Sequence, residues 1–457
     1  MDFKTSPLYW NFNLLLLWLD LSLVIYFVAK ELFERMRENK KLLLFLGIIP
    51  LIILLPLGPK YFSNSFVHES LALELAKNPV ANSHCLWYGE GCNLMSFASW
   101  TSAYHILLSK FIGLGIFGIT LLNAILIFLF FFFGYLTIEQ LTNKQKSWMY
   151  LPLIIFPQMI VLASTPNLDI LSLSLGVVFL YFSLRKRIWE AVSIAAYLIH
   201  IRPETFIYLF IMGAPLLKDL IKRPKLAAFF GVNLLLKVVE YMKGTEFITE
   251  WTLNWGVRSQ MLSNLGPGFK FIFNIMSFNI LFSALVVIGS IALFKKRKIG
   301  LAILPLFSIF AYTTHPYRIF GTGIGVDRYI LGWAFASLPA FYEGLKNQKF
   351  HKLLLILAIV PLINLDFSES WSYETRVVAE KHLDDLVHIS NNNSLPLVSY
   401  FPFIFEGKAE AVFIMDDFPY PPGQYLEFQS RNASFWKNTT YIGHIENELF
   451  LFVLTHN

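Results

Sequence analysis

An α-helical polytopic membrane protein with a small extracytoplasmic α/β module at its C-terminus is the fold class that this sequence predicts. Three observations predict it. The 457 residues are 56% hydrophobic and only 15% charged, a balance that lipid accepts and a water-exposed surface does not. Apolar runs of near-spanning length recur about twelve times along the chain. Lysine and arginine concentrate in alternate loops between those runs, the pattern of the positive-inside rule.

The predicted spans lie near 8–29, 42–58, 116–140, 148–165, 170–184, 188–201, 204–217, 226–242, 271–294, 299–314, 329–344 and 353–366. Several fall short of the roughly 20 residues that a perpendicular helix needs. Pro203 separates the 188–201 and 204–217 runs, so that pair reads as a bent or partial crossing. The first run, Leu8 to Ala29, carries Asp20 and ends in Lys30, which reads as a first span and not as a removable signal.

Orientation follows from the loops. Lys30, Arg35, Arg37, Lys40 and Lys41 mark the first inner loop, and Lys144 with Lys146 the second. Arg185 to Arg187, Lys218 to Lys225, Lys295 to Lys298 and Lys346 to Lys352 mark the other four. Together these loops hold more than half of the 37 Lys and Arg. The net charge of +6 is thereby explained without nucleic acid. Both termini then lie outside, at the plasma membrane or, in a eukaryote, at the endoplasmic reticulum membrane.

Residues 1–366 form the predicted transmembrane domain and 367–457 the extracytoplasmic α/β domain. The first long outer segment, 59–115, contains an amphipathic stretch from Phe66 to Ala76 and aromatic residues suited to an interface. Its two cysteines, Cys85 and Cys92, are the only two in the chain. A disulfide between them closes a small loop, worth roughly 2–3 kcal/mol on the chain-entropy account. Two free thiols is the other reading, and a zinc site from both with His84 lacks a fourth ligand. The tail reads as one helix, Tyr373 to His388. After it come strand-prone runs at Pro396 to Phe405 and Ala411 to Met415, the turn Pro419 to Gly423, and a last strand at Leu449 to Leu454. Three N-x-[ST] sequons, at Asn392, Asn432 and Asn438, are confined to this tail.

Four polar groupings stand where chemistry is affordable. His68-Glu69 follows the second span on the outer side, where a carboxylate stays ionised and can take a proton from a hydroxyl; a solvated interfacial pair is the plainer reading. Asp169, in Thr165-Pro166-Asn167-Leu168-Asp169, sits at the next outer turn, where a helix N-terminal acid is common. His200, Arg202, Pro203 and Glu204 interrupt two apolar runs, which calls for a partner or a wet cavity; Arg202 with Glu204 also reads as a structural ion pair. The fourth runs from His315-Pro316-Tyr317-Arg318 to Asp327-Arg328-Tyr329. Arg there supplies a planar fork for phosphate oxygens or an interfacial anchor. Gly321, Gly323 and Gly325 follow no strand, which excludes a dinucleotide loop. Lys237 and Glu240 share a helix face.

The order of these groupings resembles the GT-C superfamily of glycosyltransferases, in the branch that contains protein O-mannosyltransferases and aminoarabinose transferases. An acidic first outer loop is followed by a Pro-x-x-Asp outer turn, an Arg-Pro-Glu junction and an Arg-Tyr entering a late span. The resemblance covers most of residues 40–366 in layout and rests on short motifs. It implies a polyprenyl-phosphate (dolichyl-phosphate) sugar as donor, a glycan, lipid or protein acceptor, and chemistry on the extracytoplasmic face. The first-loop Asp-Glu of that family reads His68-Glu69 here, so either Glu69 is the base or His68 is, with Glu69 orienting it. Asp169 matches the second acid. Arg202, Glu204, Arg318, Arg328 and Tyr329 fall where lipid phosphate and sugar are bound. A divalent cation between carboxylates and phosphate is compatible with these residues and not required by them. The span at 8–29 is an addition to the family's usual start. A transporter or flippase of lipid-linked glycans or small solutes is the alternative. It is disfavoured by the absence of an internal repeat and by polar groups clustered at the outer face. A third reading treats the tail as a receptor module, for which twelve spans are more than anchoring needs.

Overall fold

A computed structural model of the protein describes residues 7–38, 46–48, 50, 58–61, 63–79, 83–88, 92–96, 102–142, 147–201, 203–253, 266–313, 330–413, 422–434 and 436–456. It is mostly helical. The longer helices are α1 (Pro7–Glu38), α2 (Ser63–Lys77), α3 (Ser102–Leu108), α4 (Gly115–Thr142), α5 (Leu168–Leu184), α6 (Ile188–Leu198), α7 (Pro203–Ile221) and α8 (Pro224–Leu253). They continue as α9 (Ile280–Lys295), α10 (Ile299–Thr313), α11 (Ile330–Leu345), α12 (Trp371–Lys381) and α13 (Leu383–Asn393).

Among the described residues two helical stretches are long and apolar enough to cross a membrane, Asn11–Arg35 and Ile112–Thr142. Leu168–Leu184, Ile188–Leu198, Ile280–Lys295, Ile299–Ile309 and Lys352–Asn364 are shorter apolar helices. The sequence expectation of twelve spans is therefore met only in part. The run at 148–165 is broken into a 3-10 segment, Ser147–Ile154, a short helix, Pro157–Val161, and a 3-10 turn, Leu162–Ser164, because Pro152 and Pro157 remove backbone donors. The run at 353–366 likewise divides into Lys352–Leu355 and two 3-10 turns, the second containing Pro361. The 271–294 run is interrupted: residues 266–272 are helical, 273–279 are not, and the next helix starts at Ile280, where Asn279 Oδ1 caps the Phe282 amide at 3.1 Å. Most of 42–58 lies outside the described residues.

Helices α4, α5, α6, α9, α10 and α11 pack around one apolar core, with α1 against α6. The closest crossing joins α9 to α11. A Cβ at Gly289 would fall on the Ala340 carbonyl, and one at Gly344 on the Leu285 carbonyl, so backbone meets backbone there as in small-residue helix pairs. The outward faces are apolar too: Leu15 and Phe33 on α1 are 68% and 67% exposed, and Ile288, Ile291, Ile303 and Leu306 also face out.

The basic loops gather at shared carboxylates. Glu31, buried near the end of α1, pairs with Arg35 and Arg185 at 3.3 Å each and with Arg187, and takes a hydrogen bond from Tyr181. Glu343 on α11 pairs with Lys296 and Lys346. Helix α5 carries Asp169 in its first turn and is followed by Arg185, so those two residues stand at opposite ends of roughly 25 Å of helix.

The C-terminal module is a seven-stranded sheet and two helices. Its strands are β1 (Ser83–Tyr88), β2 (Cys92–Ser96), β3 (Leu397–Ser399), β4 (Ala411–Phe413), β5 (Gly423–Gln429), β6 (Thr439–Ile445) and β7 (Leu449–His456), in the order β2-β1-β4-β3-β5-β7-β6. β3 is parallel to both β4 and β5, and the other pairs are antiparallel. Two strands thus come from the segment 59–115, so the sheet is not built from 367–457 alone. The single tail helix expected from Tyr373 to His388 is two, divided at His382. The strands expected at Ala411 and Leu449 form, and the run expected from Pro396 to Phe405 is a strand only at Leu397–Ser399, with a 3-10 turn at Pro402–Phe405; β5, β6 and the β1–β2 hairpin are additions.

Candidate functional site

The site is built on hydrogen bonds between the chain at 58–60 and the chain at 163–165. Asn123, buried in α4, donates Nδ2 to the carbonyls of Ala163 and Thr165 at 2.7 Å each. Thr165 Oγ1 donates to the Lys60 carbonyl at 2.6 Å and Ser164 Oγ to the Gly58 carbonyl at 3.0 Å. The chain entering α2 is thereby tied to the chain entering α5. At the head of α5 the side chain of Asn167 accepts from the Asp169 amide at 2.7 Å, an N-cap that satisfies an otherwise orphan donor.

His68 and Glu69 are consecutive on α2, about 100° apart around the helix, and both are buried. They face different partners. His68 Nδ1 lies 2.8 Å from His105 Nε2 on α3, with the two rings stacked. Only one nitrogen of such a contact carries the proton, so the pair shares it and cannot hold two imidazolium ions facing each other. Tyr104, next to His105, sets its ring edge-on to His68 and accepts the Asn167 amide on its hydroxyl at 2.7 Å. One residue of α3 therefore touches His68 and the turn that carries Asp169. Tyr197 OH, donating to the Ala103 carbonyl at 2.7 Å, holds α3 in place from α6.

Glu69 meets the C-terminal module. Its Oε2 lies 2.5 Å from Arg376 Nη1, and Arg376 Nε also reaches Glu380 at 2.9 Å while the guanidinium lies over the Phe403 ring. Tyr61 lies close enough to Glu69 to favour its ionised form slightly. Burial pushes the Glu69 carboxyl above its ordinary range, and the Arg376 charge pulls it back without cancelling the rise. Burial, followed by the Glu69 charge, also lifts the Tyr61 hydroxyl. Tilted aromatic pairs line this side: Tyr61 packs on Phe66 and Tyr373, and Phe66 on Phe401.

Three predicted residues, His68, Glu69 and Asp169, thus converge at one end of the helical bundle. Arg202, Arg318, Arg328 and Tyr329 lie outside the described residues. Glu204 occupies the first turn of α7, with its side chain outside the description. His200 is buried at the end of α6 and pairs through Nε2 with Asn233 Oδ1 at 3.0 Å. Cys85 stands opposite Leu94, and Cys92 opposite Tyr88, in the β1–β2 pair; their side chains are outside the description. Lys237 is buried, and the Glu240 side chain is likewise outside.

Sequence reasoning missed His105, Tyr104, Tyr61 and Arg376. The adjacent Tyr104-His105 in the same segment, 59–115, was a readable signal; nothing local marks Arg376. Among the described residues, the one group of three side chains spaced to hold a metal ion is His382 with Glu446 and Glu448. It lies on the module, and Lys381 Nζ occupies Glu448 at 2.6 Å. No protein-family model, no curated protein and no solved structure matches this chain.

Proposed function

We propose that the protein is a membrane glycosyltransferase of GT-C-like fold with about twelve spans. It moves a sugar from a polyprenyl-phosphate donor to a hydroxyl or glycan acceptor on the extracytoplasmic face. The observation that carries this reading is the convergence of His68-Glu69 with the Asn167–Asp169 turn through Tyr104. The two motifs are a hundred residues apart in sequence, yet they meet at the end of α5 opposite to Arg185. Apolar outward faces on α1, α9 and α10 support a lipid surround.

The chemistry needs few groups. The acceptor oxygen attacks the anomeric carbon, the carbon–oxygen bond to phosphate breaks, and the polyprenyl phosphate departs with the bonding pair. The acceptor proton goes to a base. In the tautomer where His68 Nδ1–H donates to His105 Nε2, His68 Nε2 is the basic nitrogen, and His105 orients the ring. Glu69, at the next position of α2 and anchored by Arg376, is the alternative base. Asp169 orients the acceptor. Arg328, with Arg202, Arg318, Glu204 and Tyr329, holds the donor phosphate and sugar, where cations stabilise the leaving group.

The test is to offer the purified protein a panel of polyprenyl-phosphate sugars with simple alcohol and glycan acceptors, and to weigh the products. A mass gain of one sugar on an acceptor supports the reading. Vectorial movement of a lipid-linked glycan across proteoliposomes with no new covalent bond would replace it by the transporter.

A further inference from the structure

Outside the proposed active site, metal-ligating side chains gather where the two helices of the C-terminal module meet its last hairpin. His382 is the single residue between α12 and α13. It is buried, and its ring reaches the turn that joins β6 to β7: Nε2 lies 3.2 Å from Glu448 Oε2 and 3.9 Å from Glu446 Oε2. Those two glutamates flank Asn447 in a turn that the Glu448 amide closes on the Ile445 carbonyl at 3.0 Å. On the other side of the ring, Nδ1 lies 3.6 Å from Asp385 Oδ2. One ligand atom from each of His382, Glu446 and Glu448 falls within 4.8 Å of the other two.

Carboxylates on both sides of one imidazole leave the neutral ring unbalanced, because it carries a single N–H. Given to Glu448, that proton leaves the Nδ1 lone pair facing Asp385. Turned toward Asp385, it leaves the Nε2 lone pair facing two carboxylates, an arrangement that calls for a cation between them. It is also the arrangement in which a metal-bound histidine is held, its second ring nitrogen directed at a carboxylate. A cation already stands on that side: Lys381 Nζ is 2.6 Å from Glu448 Oε2 and 3.9 Å from Glu446 Oε2. The Lys381 side chain is 55% exposed, so a divalent ion can displace it into water. Zinc bound at about 2.0–2.1 Å to nitrogen and oxygen needs donor atoms roughly 3–3.5 Å apart. His382 and Glu448 meet that spacing, and Glu446, 68% exposed, has room to close the rest. An imidazole among the donors suits zinc, whereas magnesium and calcium take all-oxygen shells. We propose that His382, Glu446 and Glu448 bind one zinc ion, with Asp385 orienting the ring and water as the fourth ligand. The ion ties the α12–α13 joint to the β6–β7 hairpin, and so steadies the helix whose Arg376 holds Glu69. This assignment stands independently of the glycosyltransferase reading.

The experiment is a zinc titration of the full-length protein in lipid nanodiscs, stripped with EDTA and read by competition with a chromophoric chelator. The double variant Glu446→Gln with Glu448→Gln, which changes only exposed side chains, should bind one zinc ion fewer than the parent. His382→Gln should weaken the same site at least tenfold, and Lys381→Met should tighten it at least threefold because no ammonium competes. Excess magnesium should not displace the ion. Zinc should also raise the midpoint of thermal unfolding in the parent and not in the double variant. His68→Asn is included because His68 and His105 also face each other, and it should leave this zinc in place. If His382→Gln fails to fold, the glutamate double variant decides. No bound zinc, the same zinc count in the double variant, weaker binding by Lys381→Met, or displacement by magnesium would overturn the proposal and leave His382 as one member of a protonated ion-pair cluster.

Discussion

Arg376 and Glu69 stand 307 residues apart in the chain, and their side chains meet at 2.5 Å in a largely buried ion pair. One belongs to the C-terminal module and the other to helix α2. The pair thus joins the module to the proposed active site, and it restrains the carboxylate that the sequence marks most clearly. A buried pair of this kind adds little net stability over an apolar contact, but breaking one half of it is costly.

Arg376→Met should therefore destabilise the protein by about 3–5 kcal/mol, read as a lowered midpoint of thermal unfolding in nanodiscs. The double variant Arg376→Met with Glu69→Met should recover much of that loss, because no uncompensated charge is left. Additive losses in the double variant would mean that the two side chains are not coupled.

Glu69→Gln keeps size and hydrogen bonding but removes the charge, so turnover should fall by about 10²-fold while donor binding survives. His68→Asn should fall at least as far if imidazole is the base, and His105→Phe should follow it in part. A dead Glu69→Gln beside an active His68→Asn would transfer the base role to the carboxylate. Normal turnover in all three variants would remove the site.

The pH dependence follows from the same carboxyl. Burial, the largest influence, raises Glu69 above its ordinary value of 4.5, and Arg376 opposes the rise. If the ionised form is needed, activity is lost as the pH falls through that raised value, so the acidic limb should lie above 4.5. Arg376→Gln removes the opposing charge and should move the limb to higher pH. The stability linkage has the other sense. A raised native pKa favours the protonated carboxyl, so this group's contribution is complete below 4.5 and is lost as the pH rises through the raised value.

Gly289→Val should disrupt the α9–α11 crossing, where even a Cβ meets the Ala340 carbonyl. Overpacking of this kind costs about 1–3 kcal/mol, and more where the obstacle is backbone. Gly231, which has open space around it, is the matched control; its replacement by Ala should leave the unfolding midpoint within a degree or two.

Cysteine-accessibility labelling should place Lys41 and Lys296 on the cytoplasmic side and Asn432 on the outer side. Labelling of Asn432 from the cytoplasm would reverse the orientation and remove the enzyme reading with it. Non-reducing peptide mapping should return Cys85 linked to Cys92, and two freely alkylated thiols would show that the outer hairpin carries no covalent staple.

Much of the helical layout was legible because it depends on local properties. Apolar runs appear as helices at 7–38, 115–142, 168–184, 280–295 and 330–345, whereas the caps Asn167 and Asn279 were not foreseen, the second lying inside the run expected at 271–294. The expected run at 148–165 failed because hydropathy does not register the donors lost at Pro152 and Pro157. The sheet was half legible. Short strands such as Leu397–Ser399 carry a weak alternation signal, and nothing in Ser83–Ser96 announces pairing with a segment more than three hundred residues later.

The sequence by itself determined which segments are apolar, which loops carry positive charge, and that His68-Glu69 and Asp169 fall near the ends of apolar runs. Each of these is a solvation property of side chains within a few residues of one another. Only the tertiary structure decided the partners: His105 for His68, Arg376 for Glu69, Tyr104 between His68 and the Asn167 amide, and the β1–β2 hairpin for Ala411–Phe413. A hydrogen bond needs two groups within about 3 Å, and which distant segments come that close is set by how the whole bundle packs, a geometry that no local pattern of residues encodes.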